Sequence, residues 1–174
     1  MEMRVALDTN RLTDLFQGDA PLADLLATCE EVWVPLVVLA EIKAGFYGGI
    51  RFHRNEALLQ ELLAKPTVGV LLPSRETAEH YARIFVQLKR AGTPIPDNDL
   101  WIAAMVLEND LLLITRDRHF GHIPQLLRRL TLHTAVTAES THPAARRSVG
   151  RCAGSPRATG VSTPPPWRGT ARRS

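Results

Sequence analysis

Four short apolar runs, at residues 3–7, 32–35, 68–72 and 111–115, are separated by stretches with helical spacing. This alternation limits the fold more than any other feature of the chain. A strand that is apolar on both faces must be covered on both faces, which is the condition of a parallel sheet sandwiched between helices. Helices are expected over 11–17, 21–29, 36–47, 55–64, 74–90 and 97–109, and a last strand over 130–136. Leu58, Leu59, Leu62 and Leu63 recur at helical spacing, and Ala78, Tyr81, Ala82, Phe85 and Leu88 form a stripe behind Ser74, a ready N-cap. The expected architecture is an α/β fold, a three-layer α/β/α sandwich around a central, mainly parallel sheet, with more helices than strands.

The pattern stops at residue 141. From there the chain is rich in Pro, Gly, Ser and Arg, with Val149, Val161 and Trp167 as its only large apolar residues. Such a segment cannot bury enough apolar surface to offset the entropy of ordering it. The chain is therefore expected to divide into a folded domain, 1–140, and a disordered basic tail, 141–174. Charge divides at the same place. Residues 1–140 carry 14 Lys and Arg against 18 Asp and Glu, while the tail carries seven Arg and no acid. The overall net charge of +3 thus conceals a mildly acidic body. A basic isoelectric point usually hints at nucleic acid; here that hint belongs to the tail alone.

Other classes are set aside by simple counts. The longest uncharged apolar stretch, 32–40, is too short to span a bilayer, and the N-terminus lacks the regions of a signal peptide. Cys29 and Cys152 lie far apart and match no metal spacing, so neither a disulfide framework nor a zinc site is expected. A cytoplasmic protein without a membrane partner is the expectation.

Function in open α/β sheets collects outside the carboxyl ends of the strands. Asp8 follows directly on the first apolar run, and Asp117 sits two residues past the fourth. Glu41 lies one to two turns into the helix after the second run, and Asp99 is in the first turn of the helix that leads to the fourth. Each acid also has an ordinary reading. Asp8 or Asp97 could cap a helix, Asp99 could complement a helix dipole, Asp117 could shape a turn, and Glu41 could be an edge residue. What favours a site is that all four belong at one edge of one sheet.

Such a cluster needs a cation. Two carboxylates ~5 Å apart repel by about 3 kcal/mol at an effective dielectric near 20, and four carboxylates form six such pairs. Hard divalent ions with oxygen ligands answer that repulsion, Mg²⁺ commonly with carboxylates, waters and substrate phosphate. No His or Cys at ligand spacing suggests zinc; Mn²⁺ stays open. A metal held this way suits phosphodiester hydrolysis, where it acidifies water and stabilises the leaving oxygen.

The strings Leu7-Asp8-Thr9-Asn10, Ala40-Glu41-Ile42, Asp99-Leu100-Trp101-Ile102-Ala103-Ala104 and Leu113-Ile114-Thr115-Arg116-Asp117 through Phe120 together resemble the PIN-domain nucleases. Within them the chain is most similar to the VapC-type toxins of bacterial toxin–antitoxin pairs, over residues 3–136. The resemblance implies a Mg²⁺-dependent endoribonuclease in the 1–140 domain, a homodimer, and a cognate antitoxin that blocks the site. It makes Asp8 and Asp99 the core metal ligands, completed by Glu41 and Asp117. Thr9, Asn10 and Thr115 become supporting or substrate-positioning groups. An aspartyl-nucleophile phosphatase would need a second Asp two positions after the first, and Asn10 stands there instead. A non-catalytic module of the same fold would be expected to lack an acid, and none is missing.

Smaller features complete the expectations. Asp97 reads as the cap of its helix and Asp99 as the ligand. His119 and His122, beside Asp117, read as surface turn residues, with a general base as the alternative. Phe46, Tyr47, Ile50 and Phe52, around Gly48-Gly49, read either as a partner-binding patch or as core. The tail reads as an extension without a specific role, with an RNA-binding arm or shifted-frame sequence as the alternatives.

Overall fold

Each apolar run becomes a strand in the computed structural model, which describes residues 3–130. The strands are β1 (Arg4–Leu7), β2 (Glu31–Pro35), β3 (Val68–Leu71) and β4 (Leu112–Thr115), joined by a short β5 (Arg128–Leu130). The helices are α1 (Thr9–Gln17), α2 (Ala20–Ala27), α3 (Leu36–Tyr47), α4 (Phe52–Leu63), α5 (Arg75–Ala91) and α6 (Asp97–Glu108). A turn of 3₁₀ helix, His119–His122, lies between β4 and β5. The last strand begins at Arg128 rather than residue 130, and the rest of its expected span, with the whole 141–174 tail, lies outside the described residues.

The sheet runs in the order β3-β2-β1-β4-β5. Every ladder in it is parallel, with Leu7 of β1 beside Ile114 of β4. From β1 the chain fills one side of the sheet, then returns to fill the other. The switch point therefore falls between β1 and β4, at whose carboxyl ends ligand sites of open α/β sheets form. Val5, Ala6 and Leu7 of β1 and Leu113 and Ile114 of β4 are completely buried, as are Ile102 through Val106 of α6. A helix buried through its middle on successive residues is a central element. Because α6 precedes a parallel strand, its N-terminus lies at the carboxyl edge of the sheet.

Local chemistry explains where the helices begin and end. Asp8, with extended backbone, accepts from the Thr9 amide and caps α1, and Gly18 closes that helix at a φ of 94° that favours glycine. Ser74 and Thr77 form a reciprocal capping box at the start of α5. Gly69 on β3 serves packing instead, since a Cβ there would come within 2.5 Å of the Trp33 ring on β2. Glycine lets that indole lie flat against the neighbouring strand. Among the described residues, no helix is long and apolar enough to cross a membrane.

Candidate active site

β1 ends at Leu7, and the next residue, Asp8, turns its carboxylate back toward β4. It is almost fully buried. Its Oδ1 accepts from the Thr9 amide at 2.7 Å. Its Oδ2 accepts from Thr115 Oγ1 at 2.7 Å and from Asn10 Nδ2. One carboxylate oxygen thus caps α1 while the other is held by Thr115 and Asn10. Burial pushes the Asp8 carboxyl above its ordinary range, the bonds from Thr115 and the Thr9 amide oppose that shift, and Asp117 and Glu41 reinforce it.

Glu41 approaches from α3. Its Oε2 accepts from Thr9 Oγ1, and its Oε1 accepts from Asn98 Nδ2 at 2.6 Å. Asn98 belongs to the first turn of α6, so this bond ties α3 to the start of α6 over the sheet edge.

Asp99, also in that first turn, is different. Among the described residues no hydrogen-bond donor is recorded on its carboxylate, and its one ionic neighbour is His119, whose Nδ1 lies 3.6 Å from Oδ2. Burial, then repulsion from Asp8 and Asp117, pushes its carboxyl up to about 6, with His119 opposing the rise and Glu41 adding to it. All three of the other acids therefore act on Asp99.

Asp117 lies two residues beyond β4. Its amide donates to Thr115 Oγ1 at 2.9 Å, and its Oδ1 accepts from the His119 amide at 2.8 Å. That second bond closes an Asx turn. It folds the His119 ring back so that Nδ1 stands 3.2 Å from Asp117 Oδ1. Ligand atoms of Asp99, Asp117 and His119 all lie within 4.8 Å of one another.

The structure thus gathers Asp8, Glu41, Asp99 and Asp117, with Thr9, Asn10 and Thr115, at the β1/β4 switch point. One expectation needs correction. Asp97 does not cap α6, which starts after Pro96 with no side-chain cap; its Oδ1 instead faces the Tyr81 hydroxyl at 3.4 Å. His119 is on a turn and half exposed, as its sequence position suggests, and its ring faces Asp99 and Asp117. The apolar patch divides: Phe46 is core, while Tyr47 and Ile50 are exposed, with Phe52 tilted against Tyr47. Asn98 is the residue that sequence reasoning misses. Its signal is its place between two acids at a helix start, where one side chain of that turn must face the neighbouring helix.

Four carboxylates meet at the switch point of a parallel sheet. The PIN domain profile matches residues 5–126, and the chain belongs to the PIN domain family. More particularly, it is 29% identical over 125 residues to Ribonuclease VapC1 of Haemophilus influenzae, covering 69% of this chain and 92% of that one. It is 27% identical over 117 residues to Ribonuclease VapC5 of Mycobacterium tuberculosis, covering 67% and 79%. Among solved structures it is similar to VapBC-1 from nontypeable Haemophilus influenzae, at 26% identity and a TM-score of 0.65 over 73% of this chain and 97% of that one. VapBC2 from Rickettsia felis, bound to a DNA fragment from its promoter, shares the fold at 24% identity and a TM-score of 0.66, over 73% and 98%.

Proposed function

We propose that the protein is a Mg²⁺-dependent endoribonuclease that hydrolyses RNA phosphodiester bonds and serves as the toxin of a toxin–antitoxin pair. The observation that carries this is Asp99, a carboxylate without a hydrogen-bond donor among the described residues, set among three others in a partly buried site. The relatives named Ribonuclease VapC, and the VapBC complexes that share the fold, support the same reading.

The donor set fits a hard dication. Asp8, Asp99, Glu41 and Asp117 would hold it, all through oxygen, and Mg²⁺ or Mn²⁺ suits such a set better than zinc. When bound, the metal supplies Lewis acidity and a water of lowered pKa. The chain does the rest. Thr115 and Asn10 fix Asp8, and Thr9 and Asn98 fix Glu41. The N-terminus of α6 adds the positive end of a helix dipole, which favours a nearby phosphate. His119 Nδ1, beside Asp117, can hold or pass a proton at the rim.

The partners follow from the same reading: an RNA substrate, a cognate antitoxin that places a basic side chain in the acidic groove, and a second copy of the chain in the cytoplasm. Exposed apolar side chains on α5 (Phe85, Val86) and beside the α3–α4 turn (Tyr47, Ile50) offer two faces for protein contacts.

Purified protein should cut RNA with Mg²⁺ or Mn²⁺ and stop in excess EDTA, resuming when Mg²⁺ is restored. Cleavage that persists in EDTA, with contaminating nuclease excluded, would sink the metal assignment. Removing residues 141–174 should leave folding and cleavage largely intact and weaken RNA binding mainly at low salt, because the seven tail arginines act through screened charge. Loss of folding on truncation would show that the domain extends into the tail.

A further inference from the structure

Two arginines converge on one oxygen beside the acidic site. Asp14 lies on α1, one turn beyond Asn10. Arg11, which is buried, donates from Nη1 to Asp14 Oδ2 at 2.6 Å and from Nη2 to Asp19 Oδ2 at 3.1 Å. Arg116, the residue between Thr115 and Asp117, places its Nε 2.9 Å from the same Asp14 Oδ2. Its backbone amide donates to Asn10 Oδ1 at 3.1 Å, and Asn10 in turn holds Asp8. Arg116 is therefore tied to α1 by main chain and side chain together. Its side chain is nevertheless 55% exposed, and its two terminal nitrogens have no recorded acceptor among the described residues.

Resting on the ribonuclease reading, we propose that Arg116 is a phosphate-binding residue, gripping an RNA phosphate next to the one that is cut. An RNA strand brings one negative charge per nucleotide to a site lined by four carboxylates. A metal answers that repulsion at the scissile phosphate but leaves the neighbouring phosphates facing the acids. A guanidinium at the rim answers it there, and its planar fork matches two phosphate oxygens.

The other cations nearby are less suited. Arg11 is buried and committed to two acids. Lys43 gives its ammonium to both oxygens of Glu56. Arg118, on the far side of Asp117, is exposed, and among the described residues its side chain makes no hydrogen bond or ion pair. It carries the same charge without an anchor, so it must lose its rotamer freedom when it binds. Arg116 has already lost much of that freedom to Asp14, with Arg11 bracing Asp14 from behind; preorganisation of this kind favours the held side chain.

The test is steady-state cleavage of a short RNA oligonucleotide in Mg²⁺ by the full chain, over a salt series. Arg116→Gln should raise KM about tenfold while kcat stays within about threefold, as expected for a lost charge-assisted contact away from the reacting atoms. The plot of log KM against log salt should flatten by about 0.7, one phosphate contact on a single strand. Arg116→Lys should restore the salt slope but not the full affinity, because an ammonium keeps the charge and loses the fork. Arg118→Gln should move KM less than about threefold, in keeping with an unanchored surface charge.

Asp14 keeps Arg11 in every variant, so melting temperature should hold. Unchanged KM and salt slope in Arg116→Gln, beside a wild type that cuts RNA, would overturn the phosphate role alone. A fall in kcat at constant KM would overturn it too, by showing that Arg116 acts through Asn10 and Asp8. A wild type that cuts no RNA would remove the ribonuclease reading and this inference together.

Discussion

Asp99→Asn should reduce RNA cleavage by roughly 10³-fold or more, the scale on which a dominant electrostatic group in an active site is lost. Metal-free protein carrying the substitution should be as stable as the wild type near neutral pH, or more so. Asn is nearly isosteric with Asp, and no hydrogen-bond donor is recorded on the Asp99 carboxylate among the described residues, so the change breaks no such bond. It removes a charge that burial, Asp8 and Asp117 all disfavour.

The pH dependence gives a second readout. The folded-state carboxyl is raised from 3.8 to about 6, so between those values the folded chain holds a proton that the unfolded chain has released. Stability from this group is present at low pH and is lost as pH rises toward about 6. The wild-type curve, with Asp99→Asn subtracted, should fall across that window in metal-free buffer and level off above it. Metal must displace the same proton, so the Mg²⁺ needed for half-maximal cleavage should rise as pH drops through that range. If Asp99 only complemented the α6 dipole, Asn would instead cost roughly 0.3–1 kcal/mol and leave activity in place. An active Asp99→Asn enzyme would take Asp99 out of the metal site.

The interior is legible in the sequence because its signals are local. The spacing predicts α3 over 36–47, and the helix is found there, bounded by Pro35 and Gly48, while Ser74 announces α5. β5 starts earlier than its expected span because Arg128-Arg129 gives an edge strand no apolar run to recognise. The four acids can be assembled from sequence because strand ends and helix starts alternate along the chain, and the parallel topology carries both to one edge.

What cannot be read depends on contacts between distant residues. Asn98 reaches Glu41 from 57 residues away, and the Arg116 amide reaches Asn10 across 106. No spacing rule predicts such pairs, since they exist only after α1, α3 and α6 have packed on the sheet. The facing of the His119 ring goes unread for a related reason. A turn at Asp117 is visible in the sequence as a possibility, but not the direction in which it swings the ring. Asp8 and Asp117 keep ordinary structural roles within the acidic cluster: one caps α1 and the other closes a turn.

Thr115→Val should destabilise the protein by about 2–4 kcal/mol and raise its Mg²⁺ requirement. Thr115 is completely buried. Its hydroxyl donates to Asp8 Oδ2 at 2.7 Å, accepts from the Asp117 amide at 2.9 Å, and lies 3.4 Å from Asn10 Nδ2. One oxygen thus links the acid after β1 to the acid after β4. Valine fills the same volume with a methyl, so no cavity forms and the strand is not disfavoured. What changes is polar satisfaction. The Asp117 amide loses its acceptor and buried Asp8 loses a donor, each at a cost of about 1–3 kcal/mol, against a gain of less than about 1 kcal/mol from the added methyl. Without the Thr115 bond, the Asp8 carboxyl should shift further upward, since that bond is the largest influence opposing burial. Its proton then competes harder with metal, and cleavage should recover only at higher Mg²⁺ or higher pH. Thr115→Ser separates the hydroxyl from the packing. It loses a buried methyl, worth about 1 kcal/mol, yet keeps the bridge, so its Mg²⁺ titration should overlay the wild type. Should Val and Ser shift that titration alike, the hydroxyl would not be what poises Asp8, and the link between the two strand ends would be packing alone.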